Sequence, residues 1–246
     1  FDGYWGIWDE KFLNYMGEVL SEQKQPFFST MFTLTSHHPF VVPQEYEGKY
    51  PKGKTPNHQC VGYVDDAFRK FFAKHENDEW FRNSIFVFVA DHVSSEKMTE
   101  VFRRSPGDYH IFGFMYAPDS ALFGEHRQVV SQMDIMPTLL GLMGNTEPYF
   151  AFGRDIFNEH SDVPYAVNYD NNAFQAITGE HLIRFDETSV TGVYDIKDVM
   201  HENNLVGKVP TEGVEQHLKA LIQSYYSRVE NKNYVVNDSI PRDTTF

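Results

Sequence analysis

Two adjacent polar residues, Asp91 and His92, directly follow the longest apolar run of the chain, Ile85 to Ala90. A continuous apolar run of this length is typical of a central strand in a parallel sheet, and such sheets bind ligands beyond the carboxyl ends of their strands. A carboxylate and an imidazole at that position provide half of a divalent-metal site. The alternative is a turn-capping carboxylate beside a surface histidine, because two adjacent polar residues form a weak pattern.

A second histidine, His37, closely follows another apolar stretch, Pro26 to Leu34. A histidine at the carboxyl end of a strand can bind an anion or move a proton at neutral pH. The alternative is a loop histidine that is held by local hydrogen bonds. Because both apolar stretches are followed by a histidine, we expect the two strand ends to face one cleft.

Other reactive residues do not form a catalytic pattern. Cys60 lies on the apolar stripe of a predicted helix, where packing explains it, and Asp65-Asp66 occupies the solvated face of that helix. Ser94-Ser95 and Thr35-Ser36 lack an evident activating base, and the sequence contains no GxSxG motif, P-loop or dinucleotide fingerprint. The chain therefore offers no convincing nucleophile of its own.

Helices and strands alternate up to about residue 160, and these elements must position the polar residues. The apolar spacing predicts helices over Asp9–Gln23, from an N-cap at Thr55 onward, and after a capping Asp134. Apolar runs predict strands over 26–34, 85–90 and 111–116. This order predicts an α/β fold with a mainly parallel sheet flanked by helices.

The pattern changes after residue 160 to short strands separated by turn residues. The predicted strands are Tyr165–Tyr169, Phe174–Ile177, His181–Phe185 and Val190–Ile196. They predict a small antiparallel four-stranded sheet, which a helix from Thr211 to about Val229 follows. We therefore expect an α/β domain over 1–160, a small subdomain over 161–231 and a flexible tail over 232–246.

Composition excludes several classes of protein. The 246 residues include 21 Lys and Arg against 35 Asp and Glu, a net charge of −14, which argues against binding to nucleic acid. No apolar run approaches the roughly 18 residues of a membrane span. One cysteine excludes a disulfide framework and a thiolate zinc site. Since the chain begins at Phe1 without a signal peptide, we expect it to be a piece of a longer protein.

Five segments in a fixed order along the chain resemble one enzyme family. They are Thr33–Phe40, Asn83–His92, Tyr109–Pro118, Val130–Leu140 and Phe152–Phe157. Together they resemble the carboxyl-terminal half of a lipoteichoic-acid-synthase-type phosphoglycerol transferase, in the sulfatase branch of the alkaline phosphatase superfamily. The predicted antiparallel sheet is similar to the small terminal subdomain of that family. The resemblance implies part of an alkaline-phosphatase/sulfatase-like fold.

The resemblance also implies roles for individual residues. Asp91 and His92 match the pair that binds the catalytic divalent cation, usually Mn²⁺, with Mg²⁺, Ca²⁺ or Zn²⁺ as alternatives. His37 matches the histidine near the phosphate or glycerol of the substrate, so it is the expected catalytic and substrate-binding residue. Val93 departs from the glycine of many sulfatases. The nucleophile and a carboxylate metal ligand of the family have no counterpart in this chain and are expected upstream of Phe1.

The implied protein is a membrane-anchored bacterial enzyme with this part outside the cytoplasm, in the periplasm or at the cell surface. Its implied reaction is phosphoglycerol transfer; a sulfatase, a phosphoethanolamine transferase and a non-catalytic binding module are the alternatives. Expected partners are a phospholipid or a sulfated or phosphorylated glycan, and the missing amino-terminal half of the polypeptide. Membrane contact is expected only through an absent amino-terminal anchor. We expect the chain to be inactive alone, since the nucleophile is missing.

Overall fold

The computed structural model describes residues 1–2, 4–119, 122–158 and 165–233. These residues divide into two compact units. The first unit comprises Phe1–Asp91 and Phe112–Gly124, and the second comprises His92–Ile111 and the part from Glu125 onward. The expected flexible tail lies outside the described residues from residue 234 onward. The expected domain boundaries at residues 160 and 231 stay a prediction.

Two long helices form the centre of the first unit. They are α1 (Asp9–Glu22) and α2 (Asn57–His75), and the short α3 (Glu79–Arg82) follows them. Apolar side chains at steps of three and four place one face of each long helix in a shared core. The buried members of this core are Leu13, Leu20, Ala67, Phe71, Trp80 and Phe81. Both predicted helices are confirmed.

The start of α2 differs in detail from the prediction. The helix begins at Asn57, and no side chain caps its amino terminus. The Thr55 hydroxyl oxygen lies 2.9 Å from His58 Nδ1 and forms a hydrogen bond with the imidazole. The predicted N-cap is therefore wrong, because an imidazole one turn away competes with the backbone for the threonine side chain.

The strand direction in the first unit corrects the predicted parallel sheet. Strand β1 (Phe86–Val89) pairs antiparallel with β2 (Gly113–Tyr116), with Val87 opposite Met115. Every strand pair within the described part of the chain is antiparallel, and residues 26–34 form no strand there. An apolar run reports how strongly a segment favours burial, but it does not encode the direction of the neighbouring strand.

The second unit contains the predicted antiparallel sheet. Its strands are β3 (Ala166–Asp170), β4 (Ala173–Ile177), β5 (His181–Phe185) and β6 (Val190–Asp195), which pair in that order. Asn171 and Asn172 form the tight turn between β3 and β4 with φ angles of 47° and 59°. Asparagine tolerates this left-handed conformation better than most residues, which explains the turn. The four-stranded sheet is confirmed.

Helix α5 covers one face of this sheet. It spans Glu212–Glu230 and buries Leu218 completely. The buried residues of this core are Ala176, Ile183, Phe185, Val193 and Leu218. The predicted helix after the sheet is therefore confirmed. Among the described residues, no helix has the length and apolar character needed to cross a membrane.

Asp134 belongs to the capping box of a helical segment in the second unit. A short 3₁₀ helix, Gln132–Asp134, leads into α4 (Ile135–Leu142). The Asp134 carboxylate accepts the backbone N–H of Ser131 at 2.8 Å and that of Arg154 at 2.9 Å. Ser131 is therefore the N-cap and Asp134 its capping-box partner; the predicted N-cap at Asp134 is wrong, because its carboxylate bonds back to Ser131 and to Arg154 and no side chain caps α4.

Candidate active site

The Asp91-His92 pair lies two residues beyond β1, at the carboxyl end of that strand. The backbone N–H of Ala90 donates to the carbonyl of Phe112, the residue before β2, at 3.2 Å. The hydrogen bonding between β1 and β2 thus continues up to the residue before Asp91. Both side chains are exposed. Both residues thus follow the end of a strand, and their role in binding stays a prediction.

A backbone contact sets the orientation of the His92 imidazole. His92 Nδ1 lies 2.7 Å from the carbonyl oxygen of Val93. A carbonyl only accepts hydrogen bonds, so Nδ1 carries the proton and the lone pair of the neutral ring is on Nε2. Histidines that bind metal ions commonly donate their other ring N–H to a backbone carbonyl in this way. The tautomer of His92 therefore suits a metal ligand that binds through Nε2.

His37 lies in a tight turn that fixes its ring in the same tautomer. Its backbone N–H donates to Leu34 and its carbonyl accepts from Phe40, each at 3.0 Å. Nδ1 donates to the His38 carbonyl at 2.9 Å, and this carbonyl also accepts Trp5 Nε1 at 2.6 Å. The Trp5 ring packs on the imidazole with 4.2 Å between centroids. These contacts leave the His37 lone pair on Nε2, as in His92.

Asp9 holds the segment that leads into the His37 turn. Its side chain is 1% exposed and accepts the backbone N–H groups of Leu34 at 2.9 Å and Thr35 at 3.1 Å. The backbone N–H of Asp9 donates in return to Thr35 Oγ1 at 3.3 Å. Burial raises the pKa of Asp9 above its usual value, although the bonds from Leu34 and Thr35 oppose the shift. Asp9 is therefore a positioning residue for the turn.

Sequence reasoning did not identify Asp9. An acidic residue in the first turn of a helix is usually explained by the helix dipole. The two N–H groups that Asp9 binds lie 25 and 26 residues later in the chain. No local pattern reports such a distant pairing, and the only available signal was a carboxylate just after the apolar and aromatic residues Ile7 and Trp8.

The donor atoms of Asp91 and His92 suit a divalent cation chemically. A carboxylate oxygen and an imidazole nitrogen are ligands that Mn²⁺, Mg²⁺ or Zn²⁺ accept to different degrees. Within the residues that the structure describes, no three His, Cys, Asp or Glu side chains gather closely enough to hold a metal ion. Metal binding by the pair and a cleft shared with His37 therefore stay predictions.

Known sequences show to which family the chain belongs. The sequence model of the family described as Sulfatase matches residues 1–145, more than half of the chain. This chain belongs to the sulfatase family. The match includes His37, Asp91 and His92, so the candidate site lies within the part of the chain that defines the sulfatase family, in the alkaline phosphatase superfamily.

Distant relatives of this sulfatase-family chain include lipoteichoic acid synthases. Lipoteichoic acid synthase 1 of Bacillus subtilis (strain 168) is 27% identical over 211 residues, which cover 74% of this chain and 33% of that protein. The chain thus spans about a third of the length of this relative. The predicted relation to lipoteichoic acid synthases is confirmed at this level of sequence identity.

Solved structures show the fold of the sulfatase-family chain. A protein in the alkaline phosphatase superfamily from Vibrio parahaemolyticus matches with a TM-score of 0.76 and 24% identity, over 96% of this chain and 58% of that one. Ps i-CgsB, solved in complex with k-i-k-neocarrahexaose, matches with a TM-score of 0.61 and 16% identity, over 89% and 53%. The alkaline-phosphatase-superfamily fold is therefore confirmed.

Proposed function

We propose that this sulfatase-family chain contributes part of the active site of a metal-dependent enzyme that transfers or hydrolyses phosphodiester or sulfate esters. The position of Asp91-His92 at the carboxyl end of β1, inside the family match, carries the proposal. The similarity to lipoteichoic acid synthase 1 over 74% of the chain favours phosphoglycerol transfer, with a phospholipid as the substrate. Ps i-CgsB, whose structure holds a carbohydrate, supports a sulfated glycan as the alternative substrate.

Asp91 and His92 act in this proposal as two ligands of a divalent cation, for which Mn²⁺ is the first candidate. When bound, such a cation neutralises charge on phosphoryl oxygens and lowers the pKa of a coordinated hydroxyl. Asp91 contributes a carboxylate oxygen. His92 contributes Nε2, the atom that carries the lone pair when Nδ1 donates to the Val93 carbonyl at 2.7 Å.

His37 is proposed to bind the substrate and to take part in proton transfer. Its Nδ1 is held at 2.9 Å from the His38 carbonyl, and its ring is packed on Trp5. Nε2 of such a fixed ring can accept a proton from a hydroxyl, and the protonated ring can donate to a phosphoryl or sulfuryl oxygen. The Asp9 carboxylate maintains this arrangement through Leu34 and Thr35.

We further propose that the nucleophile and the remaining metal ligands belong to another part of the same polypeptide. The chain covers 33% of the Bacillus subtilis relative. Large apolar side chains of β1, β2 and their flanks are exposed in this structure, namely Ile85, Val89, Phe112, Phe114 and Tyr116. The strand register directs Val89 and Phe114 to opposite faces of the β1–β2 pair, so apolar side chains are exposed on both faces, which favours coverage by further protein. A membrane anchor and a periplasmic or cell-surface location belong to the same proposal.

Manganese binding tests the two ligands. Electron paramagnetic resonance titration with Mn²⁺ alone should show binding to the chain that Asp91→Asn and His92→Gln each weaken at least about tenfold. Asp65→Asn and His126→Gln are the matched controls, because both residues are exposed and neither follows a strand. Unchanged Mn²⁺ affinity in both ligand variants, or the same loss in the controls, would refute the assignment.

The substrate is tested separately, on the longer polypeptide that is proposed to contain this chain together with the nucleophile. Release of a diacylglycerol from phosphatidylglycerol would support the transferase, whereas release of sulfate from a sulfated sugar would support the sulfatase. Turnover of neither substrate, together with intact Mn²⁺ binding, would favour the non-catalytic binding module.

A further inference from the structure

The second unit contains a polar cavity of about 230 Å³ that the proposed reaction does not use. Three arginines, Arg103, Arg104 and Arg184, line it together with Asp108 and Asp170. The volume is smaller than the roughly 300–1,000 Å³ of pockets that hold drug-sized molecules. Any ligand of this cavity must therefore be small and polar.

Hydrogen bonds between distant segments build the wall of this cavity. The Ser105 hydroxyl donates to the side-chain carbonyl of Gln175 on β4, and both residues are buried. His201 Nε2 donates to the Ser105 carbonyl at 2.8 Å. The Tyr109 hydroxyl donates to the Tyr169 carbonyl at 3.3 Å. These bonds hold the 103–109 segment against the β3–β4 hairpin, so the cavity is part of the folded unit.

The arginines of the cavity carry more positive charge than their ion pairs neutralise. Arg103 and Arg104 share one carboxylate, Glu100, at 2.9 Å and 3.7 Å. Arg184 forms no ion pair within the described part of the chain; its Nη2 lies 3.5 Å from the backbone carbonyl of Asp170. Guanidinium groups stay protonated at any physiological pH and bind phosphate or sulfate in a bidentate manner. The arginines therefore suit an anion, while Asp108 and Asp170 bring two carboxylates into the same lining.

The two aspartates make the cavity suitable for hydroxyl groups as well. The Asp170 carboxylate accepts Asn171 Nδ2 at 2.7 Å and Gln175 Nε2 at 3.1 Å. Asp108 Oδ1 is buried and has no hydrogen-bond partner among the described residues. Burial raises the pKa of the Asp108 carboxyl, and the charge of Asp170 adds to the shift while Lys97 opposes it. A buried acceptor without a donor is costly, and a ligand hydroxyl would satisfy it.

We propose that this cavity binds a small phosphorylated or sulfated sugar or polyol. Arg184, with Arg103 and Arg104, holds the phosphate or sulfate group. Asp108 accepts a hydrogen bond from a hydroxyl group of the same molecule. We infer this from the cavity alone, so binding to it does not require the proposed activity at Asp91 and His92.

Isothermal titration calorimetry tests the anion contacts. Glucose 6-phosphate and glucose 6-sulfate are the probes, with glucose and inorganic phosphate for comparison. We expect both esters to bind more tightly than phosphate, and glucose not to bind. Arg184→Gln should weaken ester binding about 10- to 100-fold, the loss expected for one charge-assisted contact, and Arg184→Lys should restore part of it. Arg127→Gln, which removes an exposed arginine of the same unit, should change nothing.

The aspartate contact has a separate readout. Asp108→Asn should weaken binding of glucose 6-phosphate several-fold and leave the affinity for inorganic phosphate unchanged or higher, because phosphate offers no sugar hydroxyl to this residue. Thermal unfolding of each variant checks that it is folded, and Arg104→Gln replaces Arg184→Gln if the latter is not. Absence of binding by both esters, or equal affinities in the Arg184 and Arg127 variants, would overturn the proposal. Equal affinities for phosphate and the esters would overturn its hydroxyl part.

Discussion

The two units of the chain cover their strands to different extents. Phe185 on β5 is 0% exposed, whereas Phe114 on β2 is 54% exposed, although both belong to antiparallel strand pairs. Helix α5 closes the four-stranded sheet through Leu218, which is itself 0% exposed. The second unit therefore completes a core from its own residues. The β1–β2 pair of the first unit exposes the kind of apolar surface that an interaction partner covers.

The largest expected difference in stability is between alanine variants of these two phenylalanines. Phe185→Ala removes a fully buried ring and should lower the free energy of unfolding by about 3–5 kcal/mol, because it leaves a cavity in the core of the sheet. Phe114→Ala is the matched control and should cost less than about 1 kcal/mol in this chain. Urea denaturation followed by circular dichroism measures both. Equal losses of unfolding free energy in the two variants would contradict the difference in strand coverage between the two units.

A smaller loss is expected at the polar support of the candidate site. Asp9→Ala leaves the part-buried N–H group of Leu34 and the buried N–H group of Thr35 without an acceptor and should cost about 2–3 kcal/mol. The same variant should change the NMR signal of the His37 ring, because the turn that contains His37 directly follows the segment that Asp9 holds. Asp65→Ala removes an exposed ion pair with Arg69 and should cost less than about 1 kcal/mol. A stable Asp9 variant with an unchanged His37 signal would show that the turn does not depend on this carboxylate.

The smallest expected effect depends on pH and lies on the surface of the first unit. Asp66 accepts the Tyr50 hydroxyl at 2.7 Å and Lys49 Nζ at 3.0 Å, which lowers the pKa of its carboxyl from 3.8 to about 2. A lowered pKa stabilises the folded state above pH 3.8, and this contribution disappears as the pH falls toward 2. Asp66→Asn should therefore cost about 1 kcal/mol at pH 7 and almost nothing at pH 2.

Tyr50→Phe provides the control for that pH dependence. It removes the Tyr50 hydrogen bond, the largest contribution to the lowered pKa of Asp66, and keeps the aromatic ring. The pH range over which Asp66 loses its stabilising effect should then move up toward 3.8. Stability curves of the wild type and Asp66→Asn that stay parallel between pH 5 and 2, measured by thermal unfolding, would contradict the assignment.

The second unit could be predicted from sequence more completely than the first. Its strands are short, and Asn171-Asn172 and Gly179 mark the turns between them, so local residues specify both the strands and their antiparallel order. The run before Asp91 shows only that a strand forms. Its partner, β2, begins 24 residues after β1 ends, and no local residue encodes the direction of that pairing.

The candidate site was predictable in position but not in detail. The order of strand and polar residues places Asp91 and His92 at a strand end, and the structure has them there. The tautomers of His37 and His92 depend on backbone carbonyls whose orientation only the folded turns determine. The arginine cavity joins residues 103–108 with residues 170–201, which are far apart in the sequence, so sequence spacing gave no sign of it.

Hydrolysis of a simple phosphodiester shows whether the chain, for which we propose a metal-binding pair, depends on other residues for its nucleophile. The measurement is Mn²⁺-dependent turnover of bis(p-nitrophenyl) phosphate by the 246-residue chain and by its Asp91→Asn variant. We expect no turnover above background by either protein, and turnover by the longer polypeptide that Asp91→Asn abolishes. Mn²⁺-dependent turnover by the 246-residue chain, lost in the Asp91→Asn variant, would contradict this expectation.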